Sequence, residues 1–255
     1  MTALAGKVAL VTGGGQGVGR GIALALARRG AQVALLGRTL SRLEAVAAEI
    51  AALDDAPATV AIVCDVKDGA QIEATVNAVA ERFGGVDILV NNAQEVPLGP
   101  LLSVRDEAFE AGFSSGPEAS LRFMRACHPH MKRRGGGVIF NLATSAALRW
   151  DMAGYGAYAA VKQATRALTR AAAAEWGPDG IRVLTIAPHA NSPALNGWIA
   201  GNPKEAEAFF KTIPLRRIGD CETDIGAAVA GLCGPDFGYL TGATIPLDGG
   251  QANFD

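Results

Sequence analysis

The sequence predicts one α/β domain built on a doubly wound parallel sheet with helices on both faces. Three observations carry this expectation. Short β-like runs alternate with alanine-rich helical stretches along the chain. The strand candidates are apolar over their whole length, as strands covered on both faces must be. A glycine cluster stands between the first strand and the first helix, where the chain must turn sharply.

The elements follow in order. Val8–Val11 reads as a strand and Gly17–Arg29 as a helix. Gln32–Leu36 is the second strand, followed by a helix over Leu40–Ala52. Thr59–Cys64 is the third, with a helix over Gly69–Phe83. Asp87–Val90 is the fourth, and a long helical region then reaches Met131. Val138–Leu142 precedes a helix over Tyr155–Trp176, and Arg182–Ile186 and Ala243–Leu247 are the last strands. No linker, repeat or low-complexity tract divides the 255 residues, so 1–255 is read as a single domain. Pro188–Arg217 breaks the alternation. It is rich in Pro, Asn and Gly and then carries a short helix, Pro203–Lys211. An insertion of this kind, at about 188–217, is expected to act as a substrate loop.

Composition narrows the function classes. Hydrophobic residues make up 49% and charged residues 19%, which supports a large core and argues against disorder. The net charge of −2 argues against a broad nucleic-acid footprint. Cys64, Cys127, Cys221 and Cys233 are far apart, with no C-x-x-C and no paired histidine spacing. They read as buried free thiols in a reducing compartment, and no metal site is expected. The N-terminus runs into an apolar segment broken by Gly13, with no signal-peptide layout and no uninterrupted apolar run of about 18 residues. A soluble, cytoplasmic protein with no membrane partner is expected.

The chemistry-bearing residues are concentrated at three places. Val8-Ala-Leu-Val-Thr-Gly13-Gly-Gly-Gln-Gly17-Val-Gly19 is a strand, a glycine turn and a helix start. Such a turn lets a pyrophosphate approach the backbone, and the helix N-terminus adds free N–H groups and a positive dipole end. The second strand ends Leu36-Gly37-Arg38-Thr39. An acid there would hold the ribose 2′-hydroxyl of NAD. Gly37 stands in its place and Arg38 follows, and a guanidinium fork suits a 2′-phosphate. NADP is therefore expected in preference to NAD, with a solvated Arg38 as the alternative. Asp65 is expected to cap the next helix, to hydrogen-bond adenine, or both. Finally, Tyr158 and Lys162 lie four apart on one helix and share a face. A neighbouring ammonium favours the phenolate, and a tuned phenol exchanges a proton with a carbonyl or an alcohol.

Together these residues resemble the short-chain dehydrogenase/reductase family, in its single-domain branch, over nearly the whole chain. The family's Thr-Gly-x-x-x-Gly-x-Gly is found as Thr12, Gly13, Gly17 and Gly19. Its Asn-Asn-Ala-Gly reads Asn91-Asn92-Ala93-Gln94, and its Tyr-x-x-x-Lys is Tyr158 and Lys162. The closing Tyr239-Leu-Thr241-Gly242 through Asp248-Gly249-Gly250 also fits. The resemblance implies a Rossmann sheet and a catalytic serine thirteen residues before the tyrosine, Ser145, with Thr144 as its neighbour if the loop slips by one. It implies that Tyr158 is general acid in reduction and base in oxidation. Lys162 would lower the tyrosine pKa and hold the nicotinamide ribose, and Ser145 would bind the substrate oxygen. The cofactor contacts it implies are Gly13, Gly15, Gln16, Gly17, Val18, Gly19, Arg38, Asp65, Val66, Asn92, Ala93, Tyr158, Lys162 and Pro188. It also implies a homotetramer.

Three positions depart from the family pattern. Its helix asparagine aligns with Gly116, followed by Pro117. Proline removes a donor and disfavours α geometry at the residue before it, so a kink is expected here by different chemistry. The family residue's carbonyl holds a water beside the lysine, and Gly116 is expected to offer its own carbonyl. Gln94 replaces a glycine next to the cofactor, where it is expected to narrow the nicotinamide-side pocket, to contact the substrate or to point away, and His189 replaces the glycine after Pro188. His189 lines the site, acts there as a second acid or base, or is an accommodated loop residue; His128 and His130, around Pro129, read as structural.

The activity these readings imply is an NADP-dependent exchange of hydride with a ketone or secondary alcohol, on a 3-oxoacyl thioester or an apolar cyclic ketone. The competing reading is an impaired NADP-binding relative serving as a partner subunit. Other chemistry on the same fold, dehydration or epimerisation, is a third. Expected pocket walls are Gln94, Glu95, Val96, Ala147, Trp150, Met152, Tyr155, His189, Ala190, Trp198 and Phe209. That set is largely apolar and holds no Lys or Arg.

Overall fold

The computed structural model describes residues 3–147 and 153–252. Strand β1 (Val8–Thr12) leads through the glycine turn into α1 (Gly17–Arg28), and β2 (Gln32–Gly37) into α2 (Leu40–Ala51). Then come β3 (Thr59–Val63), α3 (Gly69–Phe83) and β4 (Ile88–Asn91). Helix α4 (Asp106–Phe113) passes through a π-helical turn, Ser114–Glu118, into α5 (Ala119–Arg133). Strand β5 (Gly137–Leu142) is followed by α6 (Gly156–Trp176) and β6 (Ile181–Pro188). Helices α7 (Pro193–Gly201) and α8 (Pro203–Phe210) occupy the insertion. A second π-helical segment, Cys221–Gly226, runs into α9 (Ala227–Leu232), and β7 (Thr244–Leu247) closes the sheet.

The strands form one seven-stranded sheet in the order β3-β2-β1-β4-β5-β6-β7, with every pair parallel. Successive residues of β1 point to opposite faces. Ala9 and Val11 pack with Ile22, Leu26 and Val229 on one side. Val8 and Leu10 pack with Ile72, Val76, Phe123 and Met124 on the other. All of these side chains are buried, which explains why β1 is apolar without alternation, whereas the edge strands β3 and β7 are only partly covered, with Val63 exposed.

The predicted alternation of elements is present, with three differences. The kink expected at Gly116-Pro117 takes the form of a π-helical turn, which lets the helix continue past a residue with no N–H. The insertion begins with a helix the composition did not suggest: Ser192 caps it by accepting the Leu195 N–H at 3.2 Å, and Pro193 occupies its first position. The stretch Cys221–Leu232 is helical as well. Asp220 starts it, accepting the N–H groups of Glu222 and Thr223, and glycine contacts hold it against α1. All four cysteines are free; Cys64 and Cys127 are buried as expected, while Cys221 and Cys233 are partly exposed.

Candidate active site

Strand order reverses between β1 and β4, and a cleft opens at their C-terminal ends. Thr12 fastens the two strands there. Its hydroxyl accepts the N–H groups of Asn92 at 2.9 Å and Ala93 at 3.0 Å. The Asn92 amide donates back to the carbonyls of Thr12 at 2.9 Å and Gly13 at 3.3 Å. The glycines of the turn have distinct jobs. A Cβ on Gly19 would stand 2.3 Å from the Gly13 carbonyl oxygen, so this glycine lets helix and turn approach each other. Gly13 and Gly17 have φ of +65° and +54°, which favours glycine. Gly15, Gln16, Gly17 and Val18 line the cleft floor at the start of α1, where free N–H groups suit a pyrophosphate.

The far end of the cleft is cationic. Arg38, Arg42 and Asp65 line it, and Gly37 leaves no carboxylate at the end of β2. Arg38 is paired with Glu95 at 3.2 Å, and Lys67 reaches the same carboxylate at 2.9 Å. Arg42 donates to the Gln16 side chain at 2.6 Å. Asp65 accepts the Lys67 N–H at 3.0 Å, while capping of α3 falls to Asp68, which accepts from Ala70 and Gln71. Of the two roles expected for Asp65, helix capping therefore belongs to its neighbour. Val66, Asn92 and Ala93 line the same cleft, and Ser192 reaches it from the insertion.

The proton-transfer pair lies at the adjoining strand end. Tyr158 and Lys162 share one face of α6, and the Lys162 ammonium is 5.6 Å from the centre of the Tyr158 ring. Lys162 is buried and donates to the Leu142 carbonyl, the last of β5, at 2.6 Å. The Tyr158 hydroxyl is hydrogen-bonded to the Thr144 side chain. Ser145 is buried one residue further on, at the start of a 3₁₀ turn over Ser145–Ala147. Burial governs both ionisations. It pushes the Tyr158 phenol up to about 12, against the Thr144 hydrogen bond, which favours the phenolate; Tyr155 adds to the rise. Burial also brings Lys162 down to about 7. The groups that set the direction of the phenol's shift here are its burial, the Thr144 hydrogen bond and Tyr155.

Gln94 lines the cleft just past the end of β4, and its side chain is held by two backbone carbonyls. Its amide donates to the Gly112 carbonyl at 2.8 Å and the Glu95 carbonyl at 2.9 Å, inside the bend between α4 and α5. The Glu95 carboxylate, in the same cleft lining, turns to Arg38 and Lys67. The Gly116 carbonyl accepts the Ala119 N–H, a partner within the helix. His189 meets Phe209 edge-on at 5.4 Å, and Phe209 meets Trp198 at 5.9 Å, so an aromatic chain ties the insertion to the end of β6. Pro188 closes β6 but is not part of the cleft lining. His128 and His130 bond Asp179 and Asn77, as structural residues do. Trp150 and Met152 lie outside the described residues.

Several supporting residues escaped the sequence reading. Asn91 donates to Asn141 at 2.8 Å, Asn141 to Thr169 at 2.9 Å, and Thr185 to Thr169 at 3.0 Å. This buried chain links β4, β5 and β6 to α6, the helix that carries the pair. The available signal was a polar residue inside an otherwise apolar strand, as in Val138-Ile-Phe-Asn141-Leu.

Comparison with known proteins matches this geometry. A family model described as enoyl-(acyl carrier protein) reductase matches residues 13–252. The chain is 37% identical over 252 residues to 12α-hydroxysteroid dehydrogenase of a Clostridium species, covering 96% of each protein. It is 35% identical to levodione reductase of Leifsonia aquatica, over 96% of this chain and 94% of that one. Among solved structures, 7α-hydroxysteroid dehydrogenase in complex with NADH and 7-oxo glycochenodeoxycholic acid superposes with a TM-score of 0.90 at 30% identity, covering 98% of this chain and 96% of that one. The glycine turn, the Asn-Asn-Ala strand end and the Tyr158–Lys162 helix thus stand on a matching sheet, and the chain belongs to the short-chain dehydrogenase/reductase family.

Proposed function

We propose that this protein is an NADP(H)-dependent oxidoreductase acting on a bulky, apolar cyclic ketone or the corresponding secondary alcohol. The observation that carries the reading is the placement of Tyr158 and Lys162 against Thr144 and Leu142 at the end of β5, beside a cleft shaped for a dinucleotide. Gly13, Gly15, Gln16, Gly17 and Val18 hold the pyrophosphate, Arg38 and Arg42 take the 2′-phosphate, and Asp65 and Val66 flank the adenine. Bound there, the nicotinamide supplies or accepts the hydride. Tyr158 Oη gives its proton to the substrate oxygen in reduction and takes it back in oxidation. Ser145 hydrogen-bonds the same oxygen, and Thr144 holds the phenol in line. Lys162 binds the nicotinamide ribose and is the next proton station behind the tyrosine.

The rim of the site supports an apolar substrate. Val96, Leu98, Leu101, Leu102, Tyr155 and Trp198 are all exposed. A Cβ on Gly156 would lie 3.0 Å from the Leu101 side chain, and Gly99 donates to the Gly154 carbonyl at 2.8 Å. The loop carrying these leucines therefore sits at the start of α6, beside Tyr155 and close to Tyr158. The named relatives that act on a steroid or on levodione favour a cyclic ketone over a 3-oxoacyl thioester. The family's homotetramer is the assembly proposed; the fully exposed Tyr239, beside the last strand, is a side chain it would cover.

The test is nicotinamide absorbance with purified protein, NADPH or NADH, and a panel of oxo-steroids, small cyclic diketones and 3-oxoacyl thioesters. Turnover on a cyclic ketone with NADPH, abolished by Tyr158→Phe, is the expected result. Tight nucleotide binding without turnover on any class would overturn the catalytic reading.

A further inference from the structure

Two departures from the family motifs meet in space. The π-helical turn Ser114–Glu118 contains Pro117, which has no N–H. In π register, the N–H of residue 117 would serve the carbonyl of Gly112. The Gln94 side chain serves it instead, with Nε2 donating at 2.8 Å. The same carboxamide fills the space above Gly116. A Cβ there would stand 2.6 Å from Gln94 Oε1, 2.8 Å from its Nε2 and 2.9 Å from Val161 Cγ1. A glycine at 116 and a long amide at 94 are thus complementary: each occupies what the other leaves.

The contact also reaches the catalytic helix. Val161 immediately precedes Lys162 and packs on the turn at both Gly112 and Gly116. Ser115, in the same turn, accepts the Glu95 N–H at 2.9 Å and lines the dinucleotide cleft. Moving the turn therefore moves the surface on which the Lys162 segment rests, together with one wall of the cleft.

We infer that Gln94 is a positioning residue, which supplies the donor missing at Pro117 and fills the place of a side chain at 116, so fixing the turn that backs Lys162. The inference rests on Tyr158 and Lys162 being the catalytic pair. An isolated buried carbonyl is costly, so the amide donor matters as well as its volume.

The test is a double-mutant cycle on the full-length protein with Gln94→Gly, Gly116→Asn and the two combined, plus Gln94→Glu, which keeps the volume but places an acceptor against an acceptor. Each variant is scored by kcat and its pH profile, by KM for the nucleotide and by melting temperature. Each single substitution is expected to lower kcat about tenfold and to move the pH midpoint, and the pair to lose clearly less than the two losses combined, because the asparagine refills the space while the Gly112 carbonyl stays without the Gln94 donor. Gln94→Glu should behave like Gln94→Gly. Additive losses in the double variant, or a Gln94→Gly protein with the wild-type pH profile and kcat, would overturn the inference. The melting temperatures run the same cycle without turnover. Absent reductase activity would thus sink the functional reading, whereas additive melting losses would sink this one.

Discussion

The Arg38 guanidinium and the Glu95 carboxylate are 3.2 Å apart across the outer end of the dinucleotide cleft. Arg38 is 65% exposed, so the pair itself is worth little, on the order of 0–1 kcal/mol. A 2′-phosphate carries more charge than the carboxylate and takes the guanidinium fork in two bonds. Glu95 opposes such a group by repulsion and by competing for Arg38 and Lys67. Arg38→Leu is expected to raise KM for NADPH by about tenfold or more and to leave NADH within about twofold. Glu95→Gln should lower KM for NADPH a few-fold. Initial-rate kinetics with both nucleotides decide: equal effects on the two would remove Arg38 from 2′-phosphate recognition.

Lys162 gives a pH signature in the nucleotide-free protein. Its ordinary value is 10.5, and burial brings it to about 7 in the fold. Between these values the unfolded chain binds more protons than the folded one, so this group makes stability rise with pH. The contribution is complete above 10.5 and is lost as the pH falls through about 7. Tyr158 acts at the other end: pushed from 10.0 to about 12, it keeps its proton longer when folded, so its contribution is lost as the pH rises through that range. Melting of wild type and Lys162→Met from pH 6 to pH 10 tests the first effect. Wild type should gain on the variant as pH rises, by an amount on the order of a few kcal/mol. A constant difference would show that Lys162 does not lose its proton near neutrality.

The fold was legible because burial on both faces writes itself into a strand. Val8-Ala-Leu-Val and Gln32-Val-Ala-Leu-Leu leave little else to form. The glycine turn was legible because its residues are adjacent in sequence. What stayed hidden depends on distant partners. The Gln94 side chain is understood only beside Gly112 and Gly116, which lie on a helix reached after a long loop. The rise in the Tyr158 phenol comes from burial, which a four-residue spacing does not report. Cys221–Gly226 escaped notice because its stability comes from contact with α1 more than from its own residues.

Asp87 should be the most sensitive polar position for stability. It is 3% exposed, just before β4, and accepts the Val8 N–H at 2.9 Å and Arg134 Nη2 at 2.9 Å; Lys7 stands at 3.3 Å. Asp87→Ala leaves a buried N–H and a half-buried guanidinium without their acceptor. Solvent reaches the arginine, so the loss is set at about 2–4 kcal/mol, at the lower side of a broken buried pair. Asp87→Asn keeps an acceptor for Val8 and should lose less. The site lies at the N-terminal end of β4, away from the cleft, so kcat of the folded fraction should be unchanged. Urea unfolding of the two variants checks the order, and equal losses would mean that the charge alone matters.

Gly21 and Gly231 are both helical glycines, yet alanine should act on them in opposite directions. A Cβ on Gly21 would stand 2.2 Å from the Cys221 carbonyl oxygen and 2.3 Å from its carbon. Those are backbone atoms, so α1 and the segment Cys221–Gly226 must separate. Gly226 repeats the relationship from the other side, with its would-be Cβ 2.5 Å from the Gly21 carbonyl oxygen. Alanine improves helix propensity by about 1 kcal/mol, but overpacking a rigid contact costs about 1–3 kcal/mol or more. The packing cost dominates at Gly21, where two backbones collide. At Gly231 nothing outside its own helix turn lies within 4 Å of the added Cβ, so only the propensity gain remains. Gly21→Ala should therefore lower the melting temperature by several degrees, and Gly231→Ala should raise it by about 2–4 °C per kcal/mol gained. A Gly21→Ala protein as stable as wild type would show that the Cys221 segment moves away from α1 without loss.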